Sequence, residues 1–96
     1  MQNPPRLGGV VRSKAGRDRD LFFAILSIEE GHVTVADGKL RPVSRPKRKK
    51  LRHVHVTPHV LPELQLLLAE GKAVEDHHVR KALAAWQASK DKDPTP

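Results

Sequence analysis

The sequence predicts a mainly β protein, a small five-stranded β-barrel followed by one or two C-terminal helices. Three observations lead there. Five short β-rich segments recur at spacings of about eight to twelve residues with turn signals between them, the pattern of a barrel and not of an open sheet. After Pro58 the apolar period changes to that of a helix. The length of 96 residues allows one domain, since domains typically run about 100–150 residues.

Residues 1–5 hold two prolines and no apolar partner and are expected to be disordered. Leu7–Ser13 is a β-rich run, and Lys14–Asp20 is a polar turn built around Gly16. Leu21–Ile28 is apolar on both faces, which suits a buried strand. Glu29–Gly31 turns the chain, His32–Ala36 alternates, and Asp37-Gly38 signals a two-residue hairpin. Leu40–Val43 can then return as an edge strand, where Pro42 is tolerated. Ser44–Lys50 reads as an exposed loop. Leu51–Thr57 alternates again, placing Val54 and Val56 on one face and His53 and His55 on the other.

Leu61, Leu64 and Leu68 recur at helical spacing, with Pro62 suited to a first turn and Gly71 to a stop. Val79, Ala82, Leu83 and Trp86 mark a second amphipathic helix through Ala88, whose start near Val74–Asp76 lacks a good N-cap. The division is therefore a barrel over 6–60, a helical extension over 61–88 and a solvated tail over 89–96. A domain of about 60 residues buries only ~60% of the surface its unfolded chain exposes. The helices are thus expected to pack on the barrel, with partner binding as the alternative use of their apolar faces.

The formal charge of +7 has a single location. Residues 1–38 are net neutral and residues 61–96 net −1, whereas 39–60 hold eight cations and no acid: Lys39, Arg41, Arg45, Lys47, Arg48, Lys49, Lys50 and Arg52. Cations this dense repel one another, so a polyanion that neutralises them is favoured twice over. Nucleic acid is the partner expected; a solvated loop or a nuclear-localisation-type tract is the alternative. An anionic membrane is disfavoured because no amphipathic helix or lipid signal adjoins the tract.

Other chemistries find little support. Without Cys there is no disulfide, Cys-ligated zinc or thiol nucleophile, which fits a reducing, cytoplasmic setting. The apolar run Leu21–Leu26 is far short of the ~20 residues of a membrane span, and the opening MQNPPR has no signal-peptide character. Ser13 and Ser27 lack a nucleophile context, and Glu29-Glu30 falls at a turn tip. No enzyme, cofactor or small-molecule substrate is expected. His53, His55 and His59 have a spacing that can ligate zinc or nickel, but no Cys or nearby carboxylate completes the set and adjacent cations would repel a metal. They read better as exposed polar positions able to gain charge in mild acid. His77 and His78, adjacent on a helix, are expected to point in different directions.

At GGVVRSKAGRD (Gly8–Asp18), followed by an apolar strand, the sequence resembles the KOW motif, with Gly16 as its central glycine and a span over Arg6–His32. The stretch through Val60 is similar to bacterial KOW-domain RNA-binding proteins, themselves similar to the KOW-type large-subunit ribosomal proteins of archaea and eukaryotes. ADGKLRPV, the PKRKK tract before the last strand, and VRKAL (Val79–Leu83) carry the likeness along most of the chain. The family pattern has a glycine soon after the Gly-Arg-Asp step, where this chain has Arg19-Asp20. The resemblance implies an SH3-like five-stranded barrel whose loops touch RNA, with ribosomal RNA and ribosomal proteins as the implied partners and without enzymatic activity.

Lysine and arginine in such a segment neutralise phosphates and release counterions, giving affinity with little sequence information. Arg12, Lys14, Gly16 and Arg17, with Arg19, form a second candidate cluster around the first turn. There a glycine lets the backbone approach a sugar–phosphate and arginine can fork onto a phosphate or stack on a base. Alternatively Asp18 and Asp20 neutralise that loop. Phe22 and Phe23, imaginable as stacking platforms, lie in the most apolar run and are expected in the core. The competing class is a protein-interaction module that uses the barrel or the Leu64/Leu68 and Val79/Trp86 faces.

Overall fold

In the first strand Val10 and Val11 point to opposite faces by the two-residue period of a strand, and both are fully buried. The sheet therefore needs a core on each side. The computed structural model describes residues 3–92. Its strands are β1 (Gly9–Ser13), β2 (Phe22–Glu29), β3 (His32–Ala36), β4 (Lys47–Lys50) and β5 (Val54–Val60). They form one antiparallel sheet in the order β4-β3-β2-β1-β5.

One face carries Val11, Phe23, Ile25, Val33, Val35, Val54 and Val56, all buried, with Leu51 packed against them. The seven buried residues all lie on strands, drawn from β1, β2, β3 and β5. The opposite face, starting from Val10 and Ala24, is covered by α1 (Pro62–Ala69) and α2 (Asp76–Lys92) through Leu61, Leu64, Val79 and Leu83. No described helix is long and apolar enough to cross a membrane.

One expectation is met in part and three are corrected. The sheet is not closed into a barrel: among the described residues β5 pairs with β1 and no ladder joins it to β4. A single 3-10 turn, Leu51–His53, separates β4 from β5 and redirects the chain across the sheet. Leu40–Val43 is not a strand. The Asp37 carboxylate accepts hydrogen bonds from the backbone N–H groups of Lys39 and Arg41, and the N–H groups of Asp37 and Gly38 donate to the Arg41 carbonyl. That segment is folded on itself and cannot pair. Its place beside β3 is taken by Lys47–Lys50, expected as loop, with His32 opposite Lys50 and Val35 opposite Lys47. An edge strand tolerates this many charges because one side of its ladder faces water.

The last correction concerns the ends. Helix α2 runs past Ala88 to Lys92, since Ala84, Ala85, Gln87 and Ala88 are strong helix formers and Lys90 suits a helix C-terminus. Asn3, expected within a disordered arm, donates from Nδ2 to the Val56 carbonyl at 3.1 Å. Residues 1–2 and 93–96 of the expected arm and tail lie outside the described residues.

Two glycines seat the helices. Gly8 has φ +75° and a Cβ there would lie 2.7 Å from the Gln65 backbone nitrogen on α1. Gly38 has φ +77°, and a Cβ there would lie 2.6 Å from the Asp76 carbonyl oxygen at the start of α2. The same junction is tied by polar groups: Asp76 Oδ1 accepts from the Val43 N–H at 2.7 Å, and Arg80 Nη1 donates to the Gly38 carbonyl at 2.8 Å. The N-cap missing from the sequence is replaced by His78, whose Nδ1 accepts from the Glu75 N–H at 3.0 Å. This is the reach-back of a capping box made with an imidazole.

Candidate nucleic-acid interface

Directly opposed residues share a sheet face, so the register of β4 sorts its cations. Lys49 lies opposite Val33 and Lys47 opposite Val35, on the side of the inner core. Arg48 and Lys50 lie opposite Thr34 and His32, on the other side. Lys49 is only 9% exposed. Its stem covers the core rim and its ammonium emerges 3.7 Å from Asp18 Oδ2. Arg41 grips the same oxygen, with Nη2 at 3.0 Å and Nε donating at 3.1 Å.

Asp18 is thus the hub that holds two cations of the tract, of which Lys49 is buried. Its side chain is 6% exposed and reaches from the β1–β2 turn to both the 37–46 connection and β4. Arg48 pairs with Glu29 at 3.2 Å, both more than half exposed, a contact that water and salt weaken. Lys39, Arg45, Lys47, Lys50 and Arg52 are exposed, and among the described residues none of their side chains enters an ion pair. Five of the eight cations therefore face solvent without a carboxylate partner.

The second cluster is divided by the fold. Lys14, Gly16, Arg17 and Arg19 are exposed on the β1–β2 turn. Asp18, between them in sequence, faces inward and does not neutralise them. Asp20 is exposed and adopts φ +70°, the left-handed conformation that favours glycine. Arg12 stands apart from the turn on β1, between Phe22 of β2 and His55 of β5.

Of the adjacent aromatics, Phe23 is fully buried in the inner core, as expected. Phe22 points the other way and is half-buried against Trp86 of α2, their centroids 5.0 Å apart in an edge-to-face arrangement. Leu64 and Val79 are fully buried against the sheet, so the helix faces considered for docking are largely consumed. Leu66, at 60% exposure, is not.

His53, His55 and His59 are exposed on and before β5 and form no ligand-sized group among the described residues. Instead Glu75, His77 and His78 bring ligand atoms within 4.8 Å of one another. The rings of His77 and His78 lie 4.1 Å apart, which corrects the expectation that they diverge. The reason is the reach-back of His78 to the Glu75 N–H, which already occupies its Nδ1 lone pair. Ser13 is buried and its hydroxyl donates to the Ala15 carbonyl at 3.0 Å.

The sequence alone did not single out Asp18 as the anchor of the tract. The signal is its pairing across the fold, which depends on the register of β4 and not on any local motif. Compared with known families and curated proteins, the chain matches no family and no curated relative.

Proposed function

We propose that this chain is a non-enzymatic RNA-binding protein, cytoplasmic and associated with ribosomal RNA, that holds phosphates through the exposed cations of β4 and its flanking turns. One observation carries the reading. Asp18 holds Arg41 and Lys49, yet Lys39, Arg45, Lys47, Lys50 and Arg52 are exposed without a carboxylate among the described residues. Unneutralised cations concentrated on one segment match a polyanion. RNA as the polyanion, and the ribosomal association, rest on the resemblance to KOW-domain proteins. The finer SH3-like architecture belongs to the same reading. It is supported by the strand order, the one-turn 3-10 corner before β5 and an inner core built from strand residues with Leu51 at its side.

A second role is favoured by the position of β4 at the sheet edge, where lysines discourage pairing with another copy. The two roles separate on charge reversal. The triple variant Lys47→Glu, Arg48→Glu, Lys50→Glu keeps the edge charged and the protein monomeric, but loses RNA recovered by cross-linking in cells and co-sedimentation with ribosomes. Retention of RNA by that variant, or recovery of none by the unaltered chain, contradicts the proposal.

A further inference from the structure

The outer face of the sheet is only partly roofed by the helices. Val10 and Ala24 are opposite each other and buried beneath them. The next row on the same face consists of His55, Arg12 and Phe22, since Arg12 is opposite both Phe22 and His55. Arg12 and His55 are exposed. The last turns of α2 bring Trp86 and Lys90 to the rim of this row, and His59 of β5 closes the other side.

The result is an open groove of about 290 Å³ lined by Arg12, Phe22, His55, His59, Trp86 and Lys90, with Thr57 and Pro58 beside them and no carboxylate among the described residues that line it. Trp86 is its centre, 5.0 Å from the Phe22 ring and 5.3 Å from the His59 ring. Lys90 Nζ lies 4.8 Å from the Phe22 centroid and 5.3 Å from that of Trp86. Packing accounts for the buried edges of Phe22 and Trp86. It does not account for two cations and two imidazoles gathered around their exposed parts with no acid among the described lining residues.

The geometry points to this groove as a stacking site for one unpaired nucleotide of an RNA strand, with its base on the Trp86 face and its flanking phosphates on Arg12 and Lys90. Aromatic platforms beside cations are how sheet surfaces hold single strands, because every base has a π-face and every link a phosphate. Lys90, over the rings in the free protein, is within reach of a phosphate once a base takes its place. The inference rests on the RNA-binding reading and assigns it a second surface, on β1 and β5 and not on β4.

Trp86 is the single tryptophan of the chain, so its fluorescence reports on the groove directly. The full chain is titrated with a short oligouridylate and with uridine monophosphate, while anisotropy of a labelled oligouridylate and of a labelled ribosomal RNA fragment reports binding independently. The inference expects quenching by the oligouridylate, far weaker quenching by the mononucleotide, and about a tenfold loss of affinity in Arg12→Glu and in His59→Ala. Both residues are exposed, and circular dichroism verifies that the variants fold. Oligouridylate or fragment binding without a change in Trp86 emission, and without sensitivity to these substitutions, overturns the groove and leaves the β4 interface standing. Mononucleotide binding as tight as that of the strand overturns the strand in favour of a free nucleotide. No binding of either RNA overturns both readings.

Discussion

The ammonium of Lys49 lies 3.7 Å from the carboxylate of Asp18, and both side chains are almost excluded from solvent. The contact joins the β1–β2 turn to the edge strand β4, two positions from β2 in the sheet order. It also decides what the cationic tract can offer to a partner, because Lys49 and Arg41 are committed to Asp18.

Removing the carboxylate leaves Lys49 buried without a partner. Breaking a buried pair from one side costs about 3–5 kcal/mol, and the lower end is expected for Asp18→Asn, since Arg41 is one-third exposed and can rehydrate. Lys49→Met keeps the apolar stem and leaves Asp18 with Arg41, so it should cost much less. Urea denaturation of the two variants checks the order; equal losses would contradict a hub at Asp18.

The helix seats make a sharper steric prediction. Gly38→Ala places a methyl 2.6 Å from the Asp76 carbonyl in a positive-φ conformation, and Gly8→Ala meets the Gln65 backbone at 2.7 Å. Gly16→Ala carries only the conformational cost, about 1–2 kcal/mol, because its Cβ meets open space. Thermal or urea unfolding should rank Gly8→Ala and Gly38→Ala well below Gly16→Ala in stability.

Asp20 provides the converse case. Its φ of +70° is unfavourable for a residue with a Cβ. Asp20→Gly should therefore stabilise the protein, by about 0.5–1 kcal/mol after the entropy of the unfolded glycine is counted. A rise in the urea midpoint checks it.

The leucines of α1 separate by exposure. Leu64→Ala removes a fully buried side chain from the outer core and should cost about 2–5 kcal/mol. Leu66→Ala, 60% exposed, should change stability by less than about 0.5 kcal/mol.

The sheet was legible where apolar alternation was strong: β1, β2, β3 and the Val54/Val56 face follow from the residues themselves. It was illegible at β4, because lysine and arginine carry little preference for strands. Their pairing is imposed by the open edge of β3. The Asp37-Gly38 hairpin failed for a local reason, since the Asp37 carboxylate binds the N–H groups that a returning strand would need. The cationic tract was legible as charge, but its division into internal and exposed cations was not. Lys47 and Lys49 are alike in sequence and both lie opposite a valine of β3, but the fold brings Asp18 to Lys49. The groove around Trp86 joins residues from β1, β2, β5 and α2, so no segment of the chain could announce it.

The salt dependence of RNA affinity tests the central claim most directly. Anisotropy of a labelled ribosomal RNA fragment, measured across potassium chloride concentrations, gives the slope of log K against log[salt]. Engagement of the five unpaired cations predicts a slope of about −3.5 on single strands and near −4.5 on duplex. Lys47→Ala should reduce its magnitude by about 0.7–0.9 and Lys49→Met should leave it unchanged. A slope near zero, or an equal reduction by Lys49→Met, would contradict the account.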